Sequence, residues 1–472
     1  MSVLKTLIYQ GFQHIWVKNP LNENEVFLLR GNKSIRAVFD SQVVRLDVSA
    51  PRVVGLDVSV REWSGWMFFR KFLRLCGQVG YFRRINILNE IIWFYFYNLP
   101  VEITGVFMAF YNYLLIALLF ILIGFLIIPV KRKLIKKGRL KRTINVFATI
   151  IIVFITCTVV LFPNLKSIQT TGEYSYTFSI LELTDKSRID EHKTDGSHRK
   201  MSVLVYYPRD DEIVSNSCPL IVFSHGGIST KTSNLSLYKE LASHGYVVAS
   251  IDHTYHAFNT EIDREKIHID FEYIKELNEE DSHLDIENSY ACFQRWMKLR
   301  TDDINFVIDT FIEKAMNESN SFYQLIDANR IGVAGHSLGG SAALGVARQR
   351  SEINAVIALE SPYMCDITGV DGNEFTWNTE PYRCAVMNIY SDSGYPLITT
   401  DNKYVQNKNH LFNQGNIGYY YIEGSNHYTL TDLVRTSPIL CALLGGGYKK
   451  SGYDTLKLIN QKSLAFFDEY LR

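Results

Sequence analysis

The chain of 472 residues carries 49 Lys and Arg against 49 Asp and Glu, so its formal net charge is zero. This balance provides no overall excess of basic residues for nucleic acid, and no nucleic-acid partner is expected. The seven cysteines are an odd number without a CxxC pair, which argues against a disulfide framework, a zinc knuckle and a redox motif.

The first segment, residues 1–102, is predicted to be a separate part of the chain, and no role is assigned to it. Residues 43–63 read VVRLDVSAPRVVGLDVSVREW, which is strand-like. Residues 85–101 are strongly aromatic. This composition is typical of a segment that lies at a membrane interface or begins a longer span.

Residues 103–165 predict a transmembrane helical hairpin. Residues 103–128 and 143–162 are each apolar and long enough to span a bilayer, and the loop at 131–142 between them is dominated by Lys and Arg. Short basic loops stay in the cytoplasm, so the pattern predicts a multi-pass membrane protein with an extracytoplasmic catalytic domain. Two alternatives are a pair of buried core helices and a cytoplasmic domain, which the five cysteines beyond residue 200 would suit.

Residues 170–472 are predicted to form one α/β domain. Apolar strands are predicted at 201–207 (an edge strand), 218–223, 246–252, 330–337, 353–359, 384–390 and 417–423. Helices are predicted at 232–245, 300–316, 341–350 and 453–471. Alternating apolar strands and helices predict a mostly parallel sheet with helices on both faces.

The segment Gly335–Gly340, GHSLGG, contains the pattern G-x-S-x-G between a predicted strand and a predicted helix. This is the context of a nucleophile elbow, in which a strained turn exposes a serine hydroxyl. Glycines allow the strand and the helix to approach each other closely. Ser337 is therefore the predicted nucleophile; the alternative is a glycine-rich turn with an incidental serine.

A second glycine motif, FSHGG at residues 223–227, follows an early apolar strand. Acyl transfer needs hydrogen-bond donors for the developing oxyanion, and esterases place a loop of this type there. The backbone N–H groups of Gly227 and Leu338 are the predicted donors. The alternative is that FSHGG is only a tight turn.

The base is predicted to be His427, which follows the last strand in the sequence IEGSNHYTL. Two candidate acids, Glu360 and Asp392, end apolar strands between Ser337 and His427. The close pair His253 and His256 is predicted to lie in the pocket or on the surface, because no carboxylate cluster accompanies it to form a metal site.

These motifs together resemble the secreted and plasma-type platelet-activating-factor acetylhydrolases and their bacterial relatives, and more loosely the dienelactone-hydrolase-like enzymes. The resemblance covers about residues 170–472 and rests on FSHGG, GHSLGG, the acid at Glu360 and GSNH at 424–427. It implies an α/β-hydrolase fold, no metal or other cofactor, and hydrolysis of short or oxidised acyl chains of phospholipids. It also favours Glu360 over Asp392 as the acid.

Two departures separate the chain from that family. The family's FSHGLG is FSHGGI here, and Glu360 stands where the family usually has aspartate. Neither change removes the mechanism.

The sequence therefore predicts a membrane-anchored serine carboxylic ester hydrolase that acts on lipid or small esters. An acyltransferase with the same triad and a catalytically idle membrane sensor or scaffold are the alternatives. The acidic stretch Phe258–Ala291 is expected either to cap the active site or to form a solvated surface excursion. No oligomeric state is predicted.

Overall fold

The structure, a computed structural model, describes five strands between His14 and Ser59 together with residues 138–472, apart from 210–213, 319–320 and 413–416. The chain divides into two compact units, Met1–Asn98 and Leu99–Arg472.

In the first unit, five strands form an antiparallel sheet in chain order. They are β1 (His14–Trp16), β2 (Glu25–Arg30), β3 (Lys33–Phe39), β4 (Val43–Val48) and β5 (Gly55–Ser59). The strand-like sequence at 43–63 supplies β4 and β5, which pair in register from Val43 opposite Ser59 to Asp47 opposite Gly55. The aromatic segment at 85–101 lies outside the described residues.

The predicted membrane hairpin is not supported. Its first span, 103–128, lies outside the described residues, and its second, 143–162, falls in helix α1 (Gly138–Leu161). Within the described part of the chain, no helix has both the length and the apolar character needed to cross a bilayer. The prediction of a multi-pass membrane protein is therefore wrong for the part of the chain that the structure describes.

Helix α1 packs against its own unit. Ile155 and Thr158 on one side of the helix are buried. At its end, Ser437 Oγ donates a hydrogen bond of 2.6 Å to the Leu161 carbonyl.

The second unit is built on an eight-stranded sheet, which confirms the predicted α/β class. Its strands are β6 (Tyr176–Ile189), β7 (His198–Pro208), β8 (Cys218–Ser224), β9 (Val247–Asp252), β12 (Ile326–His336), β13 (Ile353–Leu359), β16 (Ala385–Ser391) and β17 (Ile417–Ile422). Their order is β6-β7-β9-β8-β12-β13-β16-β17. Only the pairings of β7 with β6 and with β9 are antiparallel. This is the strand order of an α/β-hydrolase.

The strand that was predicted to form an edge of this sheet lies inside it. The strand predicted at 201–207 is β7, which lies between β6 and β9 and is almost wholly buried. The edge strand is β6, whose residues are mostly half-buried or exposed. Since β6 carries few fully buried side chains, its sequence lacks the apolar run on which the strand predictions relied.

Helices and two short hairpins complete the unit. The helices are α2 (Leu235–Ser243), α3 (Phe271–Glu279), α4 (Ile286–Asn317), α5 (Leu338–Gln349), α6 (Leu397–Thr400), α7 (Val405–Phe412), α8 (Leu433–Thr436), α9 (Pro438–Gly445) and α10 (Gly452–Leu471). The hairpins are β10 (Asn259–Ile262) with β11 (Glu265–His268), and β14 (Ile367–Asp371) with β15 (Glu374–Trp377).

Two apolar clusters fill the two faces of the large sheet. Val222 on β8 belongs to the cluster that includes Phe293 of α4 and Leu344 of α5. The next residue, Phe223, belongs to the cluster that includes Phe467 of α10. Successive side chains of a strand point to opposite faces, so the continuous apolar run of β8 is explained by burial on both sides.

Helix α4 begins fourteen residues before the helix predicted at 300–316. Asp285 caps it by accepting a hydrogen bond of 3.0 Å from the backbone N–H of Asn288, as an N-cap residue does. The acidic stretch Phe258–Ala291 therefore contains the β10–β11 hairpin, helix α3 and the start of α4.

Candidate active site

Ser337 occupies a strained turn between β12 and α5. Its backbone angles are φ 55° and ψ −126°, which a residue with a side chain rarely adopts. Its N–H donates to the Leu359 carbonyl at 2.9 Å, which ties the turn to the neighbouring strand β13. A Cβ on Gly339 would lie only 2.0 Å from the Ser224 carbonyl oxygen. The elbow therefore requires glycine at this position.

Glu360 and His427 are in direct contact. Glu360 is the residue after β13, and its Oε1 accepts a hydrogen bond of 2.9 Å from His427 Nδ1. Its other carboxylate oxygen, Oε2, accepts the Ser391 N–H at 2.6 Å. The carboxyl group is 1% exposed, so both oxygens are held by hydrogen bonds in a buried place.

Two backbone features make this arrangement possible, the conformation of Glu360 and the close approach of Gly394, and neither was expected from the sequence. Glu360 has φ 51°, a strained conformation that turns its side chain into the site. Gly394 passes so close that a Cβ on it would lie 2.5 Å from Glu360 Cδ. The only signal in the sequence was the turn-like segment SDSG at residues 391–394.

The side chain of Asp392, the alternative acid, accepts hydrogen bonds from residues other than His427. Its Oδ1 accepts from Tyr421 Oη at 2.7 Å and from the Gly424 N–H at 3.0 Å. The residue is exposed. Asp392 thus fastens the turn after β16 to β17.

His427 is held beside the elbow by its backbone. Its N–H donates to Ser393 Oγ at 3.2 Å, and its carbonyl accepts from His336 Nε2 at 3.0 Å. His336 directly precedes Ser337 in the chain. Burial lowers the pKa of His336 well below its usual range, and the neighbouring His427 lowers it further. A neutral His336 with its proton on Nε2 therefore links the base to the elbow.

The FSHGG loop lies against the start of α5. A Cβ on Gly226 would lie 3.5 Å from Ser337 Cβ. One on Gly227 would lie 3.3 Å from Leu338 Cδ1. Leu338 is the first residue of α5, and the first N–H groups of a helix have no acceptor within it. The two predicted oxyanion donors are thus on neighbouring segments beside the serine.

The acidic stretch Phe258–Ala291 contacts this loop. Tyr273 of α3 donates from its hydroxyl to the Gly227 carbonyl at 3.0 Å. Leu277, one turn later, places Cδ1 3.6 Å from the position of a Cβ on Gly227. His256 is buried and stacks on the Tyr273 ring, with 3.7 Å between ring centroids. These contacts place α3 over the loop.

The other histidine of the early pair, His253, is fully buried, not on the pocket wall or surface. Its Nδ1 lies 3.0 Å from Asp303 Oδ2, and its Nε2 lies 2.8 Å from Ser224 Oγ. Burial lowers the pKa of His253 to about 4. Among the residues that the structure describes, no group of three or more His, Cys, Asp or Glu side chains is placed to hold a metal ion.

Comparisons with known proteins show what the chain is similar to. The family model for platelet-activating factor acetylhydrolase, isoform II, matches residues 211–472, more than half of the chain. The platelet-activating factor acetylhydrolase of Canis lupus familiaris is 30% identical over 157 residues, which cover 30% of this chain and 35% of that protein. Cutinase est1 of Thermobifida alba is 30% identical over 155 residues, covering 33% of this chain and 38% of the cutinase.

The matched stretch thus spans little more than a third of the length of these curated relatives. Among solved structures, a ferulic acid esterase from Streptomyces cinnamoneus superposes with a TM-score of 0.46 and 22% identity. The superposition covers 64% of this chain and 92% of that chain.

Proposed function

Because the chain belongs to the platelet-activating factor acetylhydrolase, isoform II, family, we propose that it is a serine carboxylic ester hydrolase acting through an acyl-enzyme on Ser337. The observation that carries this proposal is the buried Glu360 carboxylate 2.9 Å from His427 Nδ1, with His427 held beside a serine at φ 55°. A nucleophile needs both an activating base and an exposed position.

The first half of the reaction forms the acyl-enzyme. Ser337 Oγ attacks the ester carbonyl carbon while His427 Nε2 takes the hydroxyl proton. Glu360 keeps the other proton of His427 on Nδ1 and stabilises the imidazolium that results. His427 then gives its proton to the leaving alcohol as the ester bond breaks.

The second half returns the enzyme to its starting state. Water attacks the acyl carbon, His427 accepts a proton from the water, and Ser337 leaves with that proton. In both halves the carbonyl oxygen becomes an oxyanion. The N–H groups of Gly227 and Leu338 are the proposed donors for it, because the two residues lie on adjacent segments beside Ser337.

The proposed substrates are short-chain or phospholipid-type esters. The canine relative is named a platelet-activating factor acetylhydrolase and the bacterial relative a cutinase, so both names denote esters as substrates. Helix α3, which lies over the oxyanion loop through Tyr273 and Leu277, is proposed to cap the acyl site.

The test compares the wild type with Ser337→Ala. The wild type should hydrolyse p-nitrophenyl esters and be labelled by a fluorophosphonate probe. The variant should lose labelling and several powers of ten in kcat. Equal labelling of both proteins would remove Ser337 from the mechanism, and an unlabelled, inactive wild type would favour an idle scaffold. Product partition toward an added alcohol over water would identify an acyltransferase.

A further inference from the structure

Arg300 is a charged residue on the buried face of helix α4. It lies on the face that also buries Phe293, Met297 and Val307, and its side chain is 0% exposed. Among the described residues no ion pair includes Arg300, and its Nε has no hydrogen-bond partner. A buried charge without a counter-charge destabilises the folded state. A functional role would explain why Arg300 occupies this position.

The hydrogen-bond partners of Arg300 belong to the FSHGG loop or bind to it. Nη1 donates to the His225 carbonyl at 2.6 Å, and Nη2 donates to the Gly226 carbonyl at 3.3 Å. Nη2 also lies 3.4 Å from the hydroxyl of Tyr273, which itself donates to the Gly227 carbonyl. One guanidinium therefore contacts two successive peptide groups of the loop and the side chain that holds the third.

The contact with Gly226 acts on the same peptide unit as the predicted oxyanion donor. The Gly226 carbonyl and the Gly227 N–H belong to one planar trans peptide, in which C=O and N–H point in opposite directions. A positive charge at the oxygen end fixes that plane with its N–H directed away from Arg300. It also draws electron density toward the oxygen, which makes the N–H a stronger donor.

His225 adds a second donor to the same oxygen. Its Nδ1 lies 2.7 Å from the Gly226 carbonyl oxygen, which can only accept, so the proton is on Nδ1. Burial lowers the pKa of His225 well below its usual range, with the charge of Arg300 as the next cause. His225 is thus neutral, and the positive charge behind the loop resides on Arg300.

The nearby carboxylate on α4 does not neutralise this charge. Asp303, one turn after Arg300, binds Arg199 through both of its oxygens at 2.7 Å. It also binds Arg188 at 2.8 Å and His253 at 3.0 Å. The Asp303 carboxylate is therefore paired with Arg199 and Arg188, and the charge of Arg300 acts on the loop.

We propose that Arg300 is a positioning residue of the oxyanion hole, whose buried charge orients and polarises the Gly226–Gly227 peptide so that its N–H stabilises the transition state. This inference rests on the proposed function, since it needs an oxyanion to stabilise. The expected signature is a loss in kcat with little change in KM, because the charge develops only after the substrate has bound.

The test uses the full chain and three variants: Arg300→Met, Arg300→Lys and, as a control, Arg348→Met. Arg348 lies near the end of α5 and pairs with Asp366 at 2.8 Å, away from the FSHGG loop. Active sites are counted with a fluorophosphonate, so that misfolded protein does not enter kcat. A trifluoromethyl ketone, which forms a tetrahedral oxyanion on the serine, reports stabilisation of that anion directly.

Arg300→Met should lower kcat per active site by about 10- to 100-fold, somewhat less than the loss of a whole oxyanion donor. The affinity for the trifluoromethyl ketone should fall by the same factor, with KM within threefold of the wild type. Arg300→Lys, which keeps the charge, should recover part of both losses. Arg348→Met should lower Tm but leave kcat per active site unchanged.

Two results would overturn the inference. One is a kcat per active site within twofold of the wild type in a folded Arg300 variant, with Arg300→Lys serving if Arg300→Met does not fold. The other is a loss in kcat without weaker binding of the trifluoromethyl ketone. Either result leaves the proposed function intact, because that function is tested separately by the activity and labelling of the wild type and of Ser337→Ala.

Discussion

Glu360 Oε1 and His427 Nδ1 lie 2.9 Å apart, although 67 residues separate them in the chain. The carboxylate is presented directly after β13, the strand next to β12, which carries the elbow. Asp392, at the end of the following strand β16, is bound to Tyr421 and Gly424 instead. The geometry therefore supports an acid that follows the strand after the elbow helix.

Glu360→Gln is expected to lower kcat by about three to four powers of ten. The amide keeps the size of the side chain, but it loses the negative charge that orients and stabilises the His427 imidazolium. Steady-state hydrolysis of a p-nitrophenyl ester measures the effect, and thermal unfolding checks the fold. Asp392→Asn is the matched control and should stay near wild-type activity; a large loss in Asp392→Asn alone would reverse the assignment.

Gly394→Ala should lower kcat on the order of 100-fold, because a misplacement near 1 Å in a catalytic group has such an effect. The new methyl group would lie 2.5 Å from Glu360 Cδ, so the carboxylate must move. Gly418→Ala in β17 is the control, since the nearest atom to its Cβ would be the Val386 carbonyl oxygen at 4.0 Å. If Gly394→Ala has wild-type kcat, the position of the Glu360 carboxylate is not critical.

Leu277→Ala should shift the preference toward longer acyl chains. The side chain lies over the oxyanion loop near Gly227, and its removal opens space beside the reacting carbonyl. We expect kcat/KM for long relative to short p-nitrophenyl esters to rise on the order of tenfold. Leu284→Ala, at a position that is 85% exposed, should leave the profile unchanged. An identical profile for the Leu277 variant would mean that α3 is a surface excursion.

His256→Phe should make the stability of the unit less sensitive to pH. Burial, followed by the charge of Arg300, lowers the pKa of His256 well below its usual range. The unfolded chain binds a proton there below about pH 6.5, whereas the folded chain does not. The contribution of His256 to the free energy of unfolding is therefore fully present above that pH. It falls by about 1.4 kcal/mol per pH unit as the pH decreases toward the folded-state pKa.

Urea unfolding at pH 7 and pH 5 measures this difference. The His256→Phe variant lacks one such histidine, so its loss of stability between the two pH values should be smaller than that of the wild type. Phenylalanine can keep the stacking on the Tyr273 ring. His283→Phe, at an exposed position, is the control. Equal losses in His256→Phe and the wild type would contradict a neutral, buried His256.

Local patterns predicted much of the fold. The segments at 218–223, 246–252 and 353–359 coincide with β8, β9 and β13 to within one residue, because a strand buried on both faces must be apolar at nearly every position. The edge strand β6 escaped prediction because it is half exposed. The early part of α4 was missed because its apolar residues are diluted by polar ones in a long acidic stretch.

The sequence by itself determined the elbow at Ser337 and the glycine loop FSHGG, and it placed both candidate acids between Ser337 and His427. Their signals are glycines and short motifs, in which the chemistry depends on neighbours in the chain. Sequence alone left Glu360 and Asp392 open, because both end apolar strands. Which of the two contacts His427 depends on which strand lies next to the elbow strand and on which groups donate hydrogen bonds to each carboxylate. These contacts are made between strands that are distant in the sequence.

The buried charges were decided by tertiary structure in the same way. Arg300 and Asp303 stand one turn apart on α4 and would be expected to form a pair on an isolated helix. In the fold, Asp303 binds Arg199 of β7, and Arg300 binds the loop after β8. A helix fixes the face on which a residue lies, but the elements packed on that face determine the partner of a buried charge. The reason is that a buried charge is stable only when nearby groups offset its desolvation cost.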